Sequence, residues 1–291
     1  MTAIQNRYDF VYLFDCLDGN PNGDPDAANA PRLDPQTLQG IVSDVCIKRK
    51  VRNYVQMRGQ PIFIQHHGIL NTEINKAEPR KKDRNRDERN QAAKWMCRNF
   101  YDIRAFGAVM STGSNAGQVR GPVQFTFSRS IDPVMALDLS ITRVAITKEE
   151  DKDKKETEMG RKNLIPYGLY RCHGFINANL AQEPNGTGFS EEDLSLLWES
   201  LKMMFDHDRS ASKGTMSAQM LTVFKHVGTD SDEKQRATQA KLGCAPAYKL
   251  FELIKIEKKV ENPRKYSDYK ITVPEAGKLK EFPGVEVIRL L

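Results

Sequence analysis

The sequence predicts an α+β fold in which strands and helices alternate in the order β-α-β-β-α-β. Three observations lead to this prediction. Several segments are rich in aromatic and β-branched residues, two segments carry apolar residues at helical spacing, and two densely charged runs interrupt the pattern as insertions. The 291 residues, 39% of them hydrophobic, are enough to bury a sizeable core. We therefore expect one domain over residues 1–291 that carries two insertions.

The first predicted strand covers residues 8–17, YDFVYLFDCL, and runs into Asn, Pro, Gly and Asp residues typical of a loop at 18–26. Asp34 then offers an N-cap oxygen and Pro35 a suitable first helical position. Apolar residues recur at helical spacing as far as Val55, which predicts a helix of about six turns. The polar face of this helix is basic and carries Lys48, Arg49, Lys50 and Arg52.

A second strand is predicted at residues 61–67, PIFIQHH. Residues 71–90 are hydrophilic and densely charged, and their first half lacks apolar periodicity, so we expect an inserted, mobile segment outside the core. Helical spacing returns over residues 92–103, and residues 111–122 form a glycine-rich connector.

Strands are predicted at residues 123–127, 139–147 and 165–180, with a second charged insertion at 148–162 between the last two. Ser190 caps a clear helix, and Asp193 completes its capping box. Two further strands are expected at 216–227 and 248–256. Removal of the insertions leaves β-α-β-β-α-β, the split ferredoxin-like unit that many RNA-binding domains use.

The positive charge is concentrated in one early region. The formal net charge is +6, and residues 40–104 hold 15 Lys or Arg against 7 Asp or Glu. Such a concentration suggests a polyanionic partner, because every phosphate contacted releases condensed counterions. A solvated basic face without a partner is the alternative explanation.

Other classes of protein are disfavoured. The five cysteines are far apart and show no C-x-x-C spacing, so we expect reduced thiols in a cytoplasmic protein rather than a disulfide framework or a zinc site. No apolar run approaches the roughly 20 residues of a membrane helix, and no membrane partner is expected.

No catalytic residue, metal ligand or cofactor is predicted. The acidic and amide side chains of residues 20–26 suit a hard cation, but their spacing fails the EF-hand pattern, and a turn that caps its own backbone is the simpler explanation. A third alternative is that the N–H groups of this loop receive phosphates. Asp206, His207 and Asp208 lack paired metal-ligand spacing, and no nucleophile elbow is present.

Two segments are candidates for contact with nucleic acid. Lys48, Arg49 and Arg52 are spaced i, i+1 and i+4 on one helix, so at least two of these cations can reach neighbouring phosphates. Glycines at 113, 117 and 121 flank Gln118 and Arg120 and permit a close approach of the backbone to a strand of RNA. Taken alone, each segment is also explained as ordinary surface.

Over nearly its whole length the chain resembles the backbone, CRISPR RNA-binding subunit of the type I-C CRISPR Cascade surveillance complex. The resemblance rests on six ordered blocks: DGNPNGDPD at 18–26, GIVSDVCIKRKVRNYV at 40–55, DIRAFGAVM at 102–110, QVRGPVQFTFSRSIDP at 118–133, PYGLYRCHGF at 166–175 and MFDHDRSASKG at 204–214.

This resemblance implies a modified RRM or ferredoxin-like palm with an inserted finger at about 68–100 and an inserted thumb at about 148–165. It further implies a non-catalytic protein, copies of which assemble head to tail as a helical filament along a CRISPR RNA. Other Cascade subunits bind at the guide ends, and the guide pairs with target DNA in an R-loop during antiviral defence. The alternative is a metal-dependent, RNA-cleaving backbone subunit that uses Asp24, Asp26 or the cluster at residues 206–208.

The resemblance also suggests roles for individual residues. Met159 is expected to be the apolar wedge that separates bases, with Arg161 and Lys162 on phosphates. The chain lacks the aromatic signature by which RRM strands stack bases, so we expect contact with the RNA backbone instead. The expected contact residues are Lys48, Arg49 and Arg52, with Asn22, Gly23, Gln118 and Arg120 close by.

Overall fold

The computed structural model of the chain describes residues 2–151, 157–184 and 186–291. The strands are β1 (Tyr8–Gly19), β2 (Gly23–Asp24), β3 (Ala30–Pro31), β4 (Gln39–Val42), β5 (Gly107–Met110), β6 (Gly117–Arg120), β7 (Val123–Phe125), β8 (Ser128–Pro133), β9 (Leu137–Arg143), β10 (Glu158–Ile176), β11 (Thr215–His226), β12 (Lys255–Lys258), β13 (Tyr269–Thr272), β14 (Gly277–Lys278) and β15 (Val285–Arg289). The helices are α1 (Asp44–Met57), α2 (Leu70–Lys76), α3 (Arg86–Asn99), α4 (Tyr101–Phe106), α5 (Glu191–His207), α6 (Glu233–Leu242) and α7 (Ala247–Glu252).

One large antiparallel sheet organises the described residues. Its strand order is β14-β15-β11-β1-β10-β8-β4, and β7 and β9 also pair with β10. Within it, β11, β1, β10 and β8 are neighbours, and with α1 and α5 they follow one another along the chain as β-α-β-β-α-β. The prediction of a mixed α+β fold is confirmed.

Side chains along β1 alternate between the two faces of the sheet, and each face is covered by a separate core. Phe10, Tyr12 and Phe14 point into a cluster with α1 and α5, where the Tyr12 hydroxyl donates to the Leu201 carbonyl at 2.7 Å. Val11 and Leu13 point into a second cluster that contains Leu250 and Phe251 of α7 and Tyr269 of β13. Residues 8–16 of β1 are buried, so this part of the strand offers bases no stacking platform.

A third core lies where the sequence predicted a mobile insertion. Phe63, Ile74, Ala92 and Met96 are buried together. The guanidinium of Arg84, itself buried, donates to the carbonyl of Pro79 at 2.9 Å within this segment and to the carbonyl of Ser114 at 3.0 Å in the loop between β5 and β6. The prediction that residues 71–90 lie outside the core holds for the main core, to which they contribute no side chain, but Ile74 and Ala77 pack in this third core. One buried cation, Arg84, replaces the apolar periodicity that the sequence lacks.

The first helix is shorter than predicted. Its N-cap is Ser43, whereas Asp34 accepts from the backbone N–H groups of Gln36 and Thr37 in a separate turn. Leu38 follows with φ of 57°, and β4 then pairs with β8. The predicted helical start was wrong because a side-chain oxygen that caps a helix caps a turn equally well.

Two other predicted strands are corrected. Residues 61–67 form a loop in which the N–H groups of Phe63 and Ile64 donate to the Asp102 carboxylate instead of to a neighbouring strand. The segment at 248–256 is divided between α7 and β12. By contrast, the Ser190 capping box with Asp193 is confirmed, as is the strand now seen as β11.

The second charged insertion is shorter than expected. Strand β10 begins at Glu158 and pairs with β9 to form a two-stranded ribbon that continues from the sheet. Residues 152–156 of the predicted thumb lie outside the described residues. Among the helices described, none is both long and apolar enough to cross a membrane.

Candidate nucleic-acid interface

A basic groove runs along the first half of α1. Its larger part, about 710 Å³, lies between α1, the loop around His66 and His67, and the start of β5. Its smaller part, about 350 Å³, lies between α1, the loop after β1 and the segment after α5. Both parts are lined by Asn22, Cys46, Arg49 and Asn53, so they lie side by side along α1, and we call them together the basic groove.

The N-terminus of α1 is fixed in this groove by Asn22. The Asn22 Oδ1 atom accepts from the Ser43 N–H and the Ser43 hydroxyl, both at 2.9 Å. This contact holds the loop after β1 against the helix start, where the helix dipole favours an anion. Asn22 therefore positions the groove wall, and its amide nitrogen makes no hydrogen bond to the described residues.

Two of the three predicted helix cations are held by internal carboxylates. Lys48 pairs with Asp44 at 2.9 Å, and its ammonium lies 5.7 Å from the centre of the Phe106 ring. Arg52 pairs with the buried Asp102 at 2.8 Å. Both side chains line the groove, but each is largely neutralised within the fold.

Arg49, the third predicted helix cation, is not held by a carboxylate among the described residues. It is exposed, lines both parts of the basic groove, and forms no ion pair with the described residues. Its charge is available to a ligand in the groove.

Lys50 and Lys213 also line the basic groove, although the sequence did not predict them as contact residues. Lys50 is 3% exposed, and both it and Lys213 pair with the same Asp208 Oδ2 atom. Burial alone raises the pKa of Asp208, but the hydrogen bonds from Lys213 and Lys50 outweigh burial and hold the pKa below its usual 3.8. Two ammonium groups against one carboxylate leave an excess of positive charge on the floor of the groove.

Arg32 is another cation of the basic groove that the sequence did not predict. It lines the larger part of the groove and pairs with Asp24 at 3.3 Å, and its Nε atom has no acceptor among the described residues. No local pattern indicates Arg32 or Lys213, because Arg32 reaches the groove from the loop between β3 and β4 and Lys213 from the distant segment after α5.

The loop that contains Gly23 and Asp24 is built as a turn. The Asp24 side chain accepts from the Asp26 N–H at 3.1 Å, and a Cβ atom on Gly23 would lie 2.0 Å from Asn29 Oδ1. Gly23 is thus required by the loop's own packing and lines the smaller part of the groove. Among the described residues, no three His, Cys, Asp or Glu side chains are grouped to hold a metal ion.

Gln118 and Arg120 lie on the β5–β6 hairpin beside the groove. Arg120 pairs in register with Gly107, which lines the groove, and Gln118 pairs with Val109. Both side chains are exposed. The glycine at 121 serves the hairpin rather than a ligand, because a Cβ there would lie 2.3 Å from the Phe106 carbonyl carbon.

Met159, Arg161 and Lys162 lie on the ribbon rather than on the groove wall. Met159 is 77% exposed, and Arg161 pairs with Asp138 at 3.2 Å. Since side chains alternate along a strand, Met159 and Arg161 share one face while Lys162 lies on the other. The base of the ribbon contacts the groove loop through Asn163, whose Nδ2 donates to the Ala28 carbonyl at 3.1 Å.

The sequence is similar to that of known proteins. The sequence pattern of the family described as CRISPR-associated protein Cas7 matches residues 6–274. The CRISPR-associated protein Cas7 of Haloferax volcanii is 28% identical over 236 residues, which are 69% of this chain and 66% of that protein. The chain thus spans just under two thirds of the length of this relative.

A solved structure described as a CRISPR RNA-guided surveillance complex, pre-nicking, shares the fold. The TM-score is 0.50 at 13% identity, and the match covers 82% of this chain and 84% of that chain. Because the family pattern extends over most of the sequence, the chain belongs to the CRISPR-associated protein Cas7 family.

Proposed function

We propose that this protein is a guide-binding backbone subunit of a type I-C Cascade surveillance complex. It holds the sugar–phosphate chain of a CRISPR RNA in the basic groove and leaves the bases free to pair with target DNA. The observation that carries the proposal is the basic groove along α1. Within it, Arg49 forms no ion pair with the described residues, and Lys50 and Lys213 both pair with Asp208.

The proposed anatomy is an RRM-like palm with two insertions. The palm is the β-α-β-β-α-β unit, in which the central strands are ordered β11-β1-β10-β8. The finger, at about 68–100, corresponds to α2 and α3 with their separate core, and the thumb, at about 148–165, includes the start of β10. Copies are proposed to assemble head to tail along the guide, with other subunits at its ends.

We propose that the subunit is not a nuclease. Three of the carboxylates considered for cleavage are already paired with cations: Asp208 with two ammonium groups, Asp24 with Arg32 and Asp206 with Arg209. Incubation of the assembled particle with magnesium and labelled complementary RNA tests this proposal. Regularly spaced cuts that disappear with Asp24→Ala or Asp206→Ala would establish the cleaving alternative.

The guide-binding proposal predicts a measurable change for Arg49→Ala. Each phosphate contact with a single strand contributes about −0.7 to the slope of log affinity against log salt. We expect Arg49→Ala to make that slope about 0.7 less steep and to weaken binding of a repeat-derived guide, measured by fluorescence anisotropy.

The matched control for Arg49→Ala is Lys234→Ala on α6. Lys234 is exposed, forms no ion pair with the described residues and lies far along the chain from α1. Equal salt slopes for the two variants would refute the assignment of Arg49. A wild-type chain without affinity for any guide would refute the proposed function as a whole.

A further inference from the structure

A second cleft lies on the outward face of α3, and we call it the α3 groove. It has a volume of about 580 Å³ and is lined by Arg80 and Glu78 from the preceding loop and by Lys94, Trp95 and Arg98 from the helix. It shares no lining residue with the basic groove. The use proposed for the basic groove therefore leaves this cleft unexplained.

The position of Trp95 is the unusual feature of the α3 groove. Ala92 and Met96 of the same helix are fully buried in the third core, whereas Trp95 is only half-buried at its edge. Its ring contacts Phe100 with centroids 6.4 Å apart, which anchors the indole while one side lines the cleft. A tryptophan in this position presents a fixed aromatic surface to a ligand.

The charges around Trp95 are mostly uncompensated. Arg80 and Arg98 are exposed and form no ion pair with the described residues. Lys94 pairs with Glu183 at 3.3 Å, but the two side chains are 48% and 70% exposed, so the pair is weak and easily exchanged. The cleft thus offers three cations, faced by Glu78 in its lining and by Glu183 beside Lys94.

An aromatic surface between cations is suited to a single strand of nucleic acid. The bases stack on the indole, while the guanidinium and ammonium groups contact successive phosphates, and neither contact depends on base identity. An acidic peptide would satisfy the cations but would not use the aromatic surface. Duplex DNA would supply phosphates but no unstacked base.

We propose that the α3 groove binds single-stranded DNA without sequence preference. The proposal rests on the proposed function, because pairing of a guide with one target strand leaves the other DNA strand single. Trp95 stacks a base of that displaced strand, and Arg80, Lys94 and Arg98 hold its phosphates. A second surface of this kind favours the opened target over the closed duplex.

Tryptophan fluorescence tests the proposal, because the chain contains only two tryptophans. Trp198, on α5, packs edge-on against Phe10 of the main core with centroids 5.1 Å apart and does not line the α3 groove. We expect oligo(dT), added to the chain with and without a bound guide, to quench emission from Trp95. The quench disappears in Trp95→Phe while the emission of Trp198 remains.

Affinity for oligo(dT) provides a second readout. A base stacked on an aromatic side chain contributes about 1 kcal/mol or more, so Trp95→Ala weakens binding at least about fivefold. The double variant Arg80→Ala/Arg98→Ala leaves the core intact, because both side chains are exposed and unpaired, and we expect it to bind oligo(dT) about tenfold more weakly. Lys234→Ala is the matched control and binds as the wild type does.

Three outcomes overturn the proposal. The first is oligo(dT) that leaves Trp95 emission unchanged, and the second is equal binding by the double variant and Lys234→Ala. The third is quenching by oligo(U) but not by oligo(dT), which would assign the groove to RNA. Guide binding is measured separately with a labelled guide, so a chain that binds oligo(dT) but no guide contradicts the proposed function alone.

Discussion

At the scale of single residues, the partner of each cation decides what that cation can do. Arg49 and Arg52 are one helical turn apart on α1, but Arg52 contacts a buried carboxylate and Arg49 contacts none among the described residues. Arg52 therefore supports the fold, whereas Arg49 is available to a ligand. Both were predicted as phosphate contacts, and the sequence alone does not separate them.

This difference predicts a large loss of stability for Arg52→Ala and almost none for Arg49→Ala. Arg52→Ala leaves the Asp102 carboxylate buried with only backbone donors, which costs about 3 kcal/mol of unfolding free energy. Arg49→Ala changes it by less than about 0.5 kcal/mol. Urea denaturation measures both values, and equal destabilisation by the two variants would contradict the assignment.

Asp208 predicts a pH dependence whose sign follows from its environment. Its folded pKa lies below the unfolded 3.8, so the stability that it contributes is complete above about pH 4 and is lost as the pH falls further. Asp208→Asn is expected to lower the melting temperature at pH 7, because Lys50 and Lys213 then lack their carboxylate. The deficit should shrink below pH 4.

The control for this titration is Asp26→Asn, since the Asp26 side chain is exposed and makes no contact with the described residues. Melting curves from pH 7 to pH 3 by circular dichroism provide the measurement. A deficit for Asp208→Asn that stays constant over this range would show that the carboxylate is not the titrating group.

At the scale of elements, the β9–β10 ribbon continues from the large sheet. Its register pairs Met159 with Thr142 and Arg161 with Ser140, so an exposed methionine and an arginine occupy one face. Lys162, opposite Leu139, is on the reverse face. The proposed contacts of the thumb therefore come from both sides of a two-stranded ribbon.

Combined replacement of Met159, Arg161 and Lys162 by alanine tests the ribbon as a unit. We expect a folded protein with weaker guide affinity and without a regular nuclease footprint on the guide, because the wedge and two phosphate contacts are lost. Unchanged affinity together with an unchanged footprint would rule out the proposed thumb. A Leu242→Ala variant, exposed on α6, is the control.

At the scale of the whole molecule, the central strands of the sheet are covered on both faces. One face packs against α1 and α5, and the other against α7 and the β12–β13 hairpin. The surfaces proposed to bind nucleic acid therefore lie beside the central strands, in the basic groove and the α3 groove, and on the β9–β10 ribbon. This arrangement agrees with the expectation that bases do not stack on the sheet.

Assembly along the guide is the prediction at this scale. A head-to-tail contact does not close, so the number of copies is limited by the length of the RNA. We expect mass photometry to show particles that grow in steps of 33.1 kDa as the guide is lengthened. A single bound copy on guides of every length would contradict the filament.

The sequence by itself determined the elements whose signals are local. The alternating aromatic strand β1, the capping box of α5 and the concentration of positive charge before residue 104 were all read from neighbouring residues. These features could be predicted because strand and helix periodicities depend on residues that are close along the chain.

Only the tertiary structure decided which charges are free. Lys50 and Asp208 are 158 residues apart in the chain, and Arg52 and Asp102 are 50 residues apart, yet the two residues of each pair form an ion pair in the fold. It also decided that a charged segment around Arg84 packs as a third core. The physical reason is that ion pairs and buried cations depend on distances in space, which no local pattern encodes.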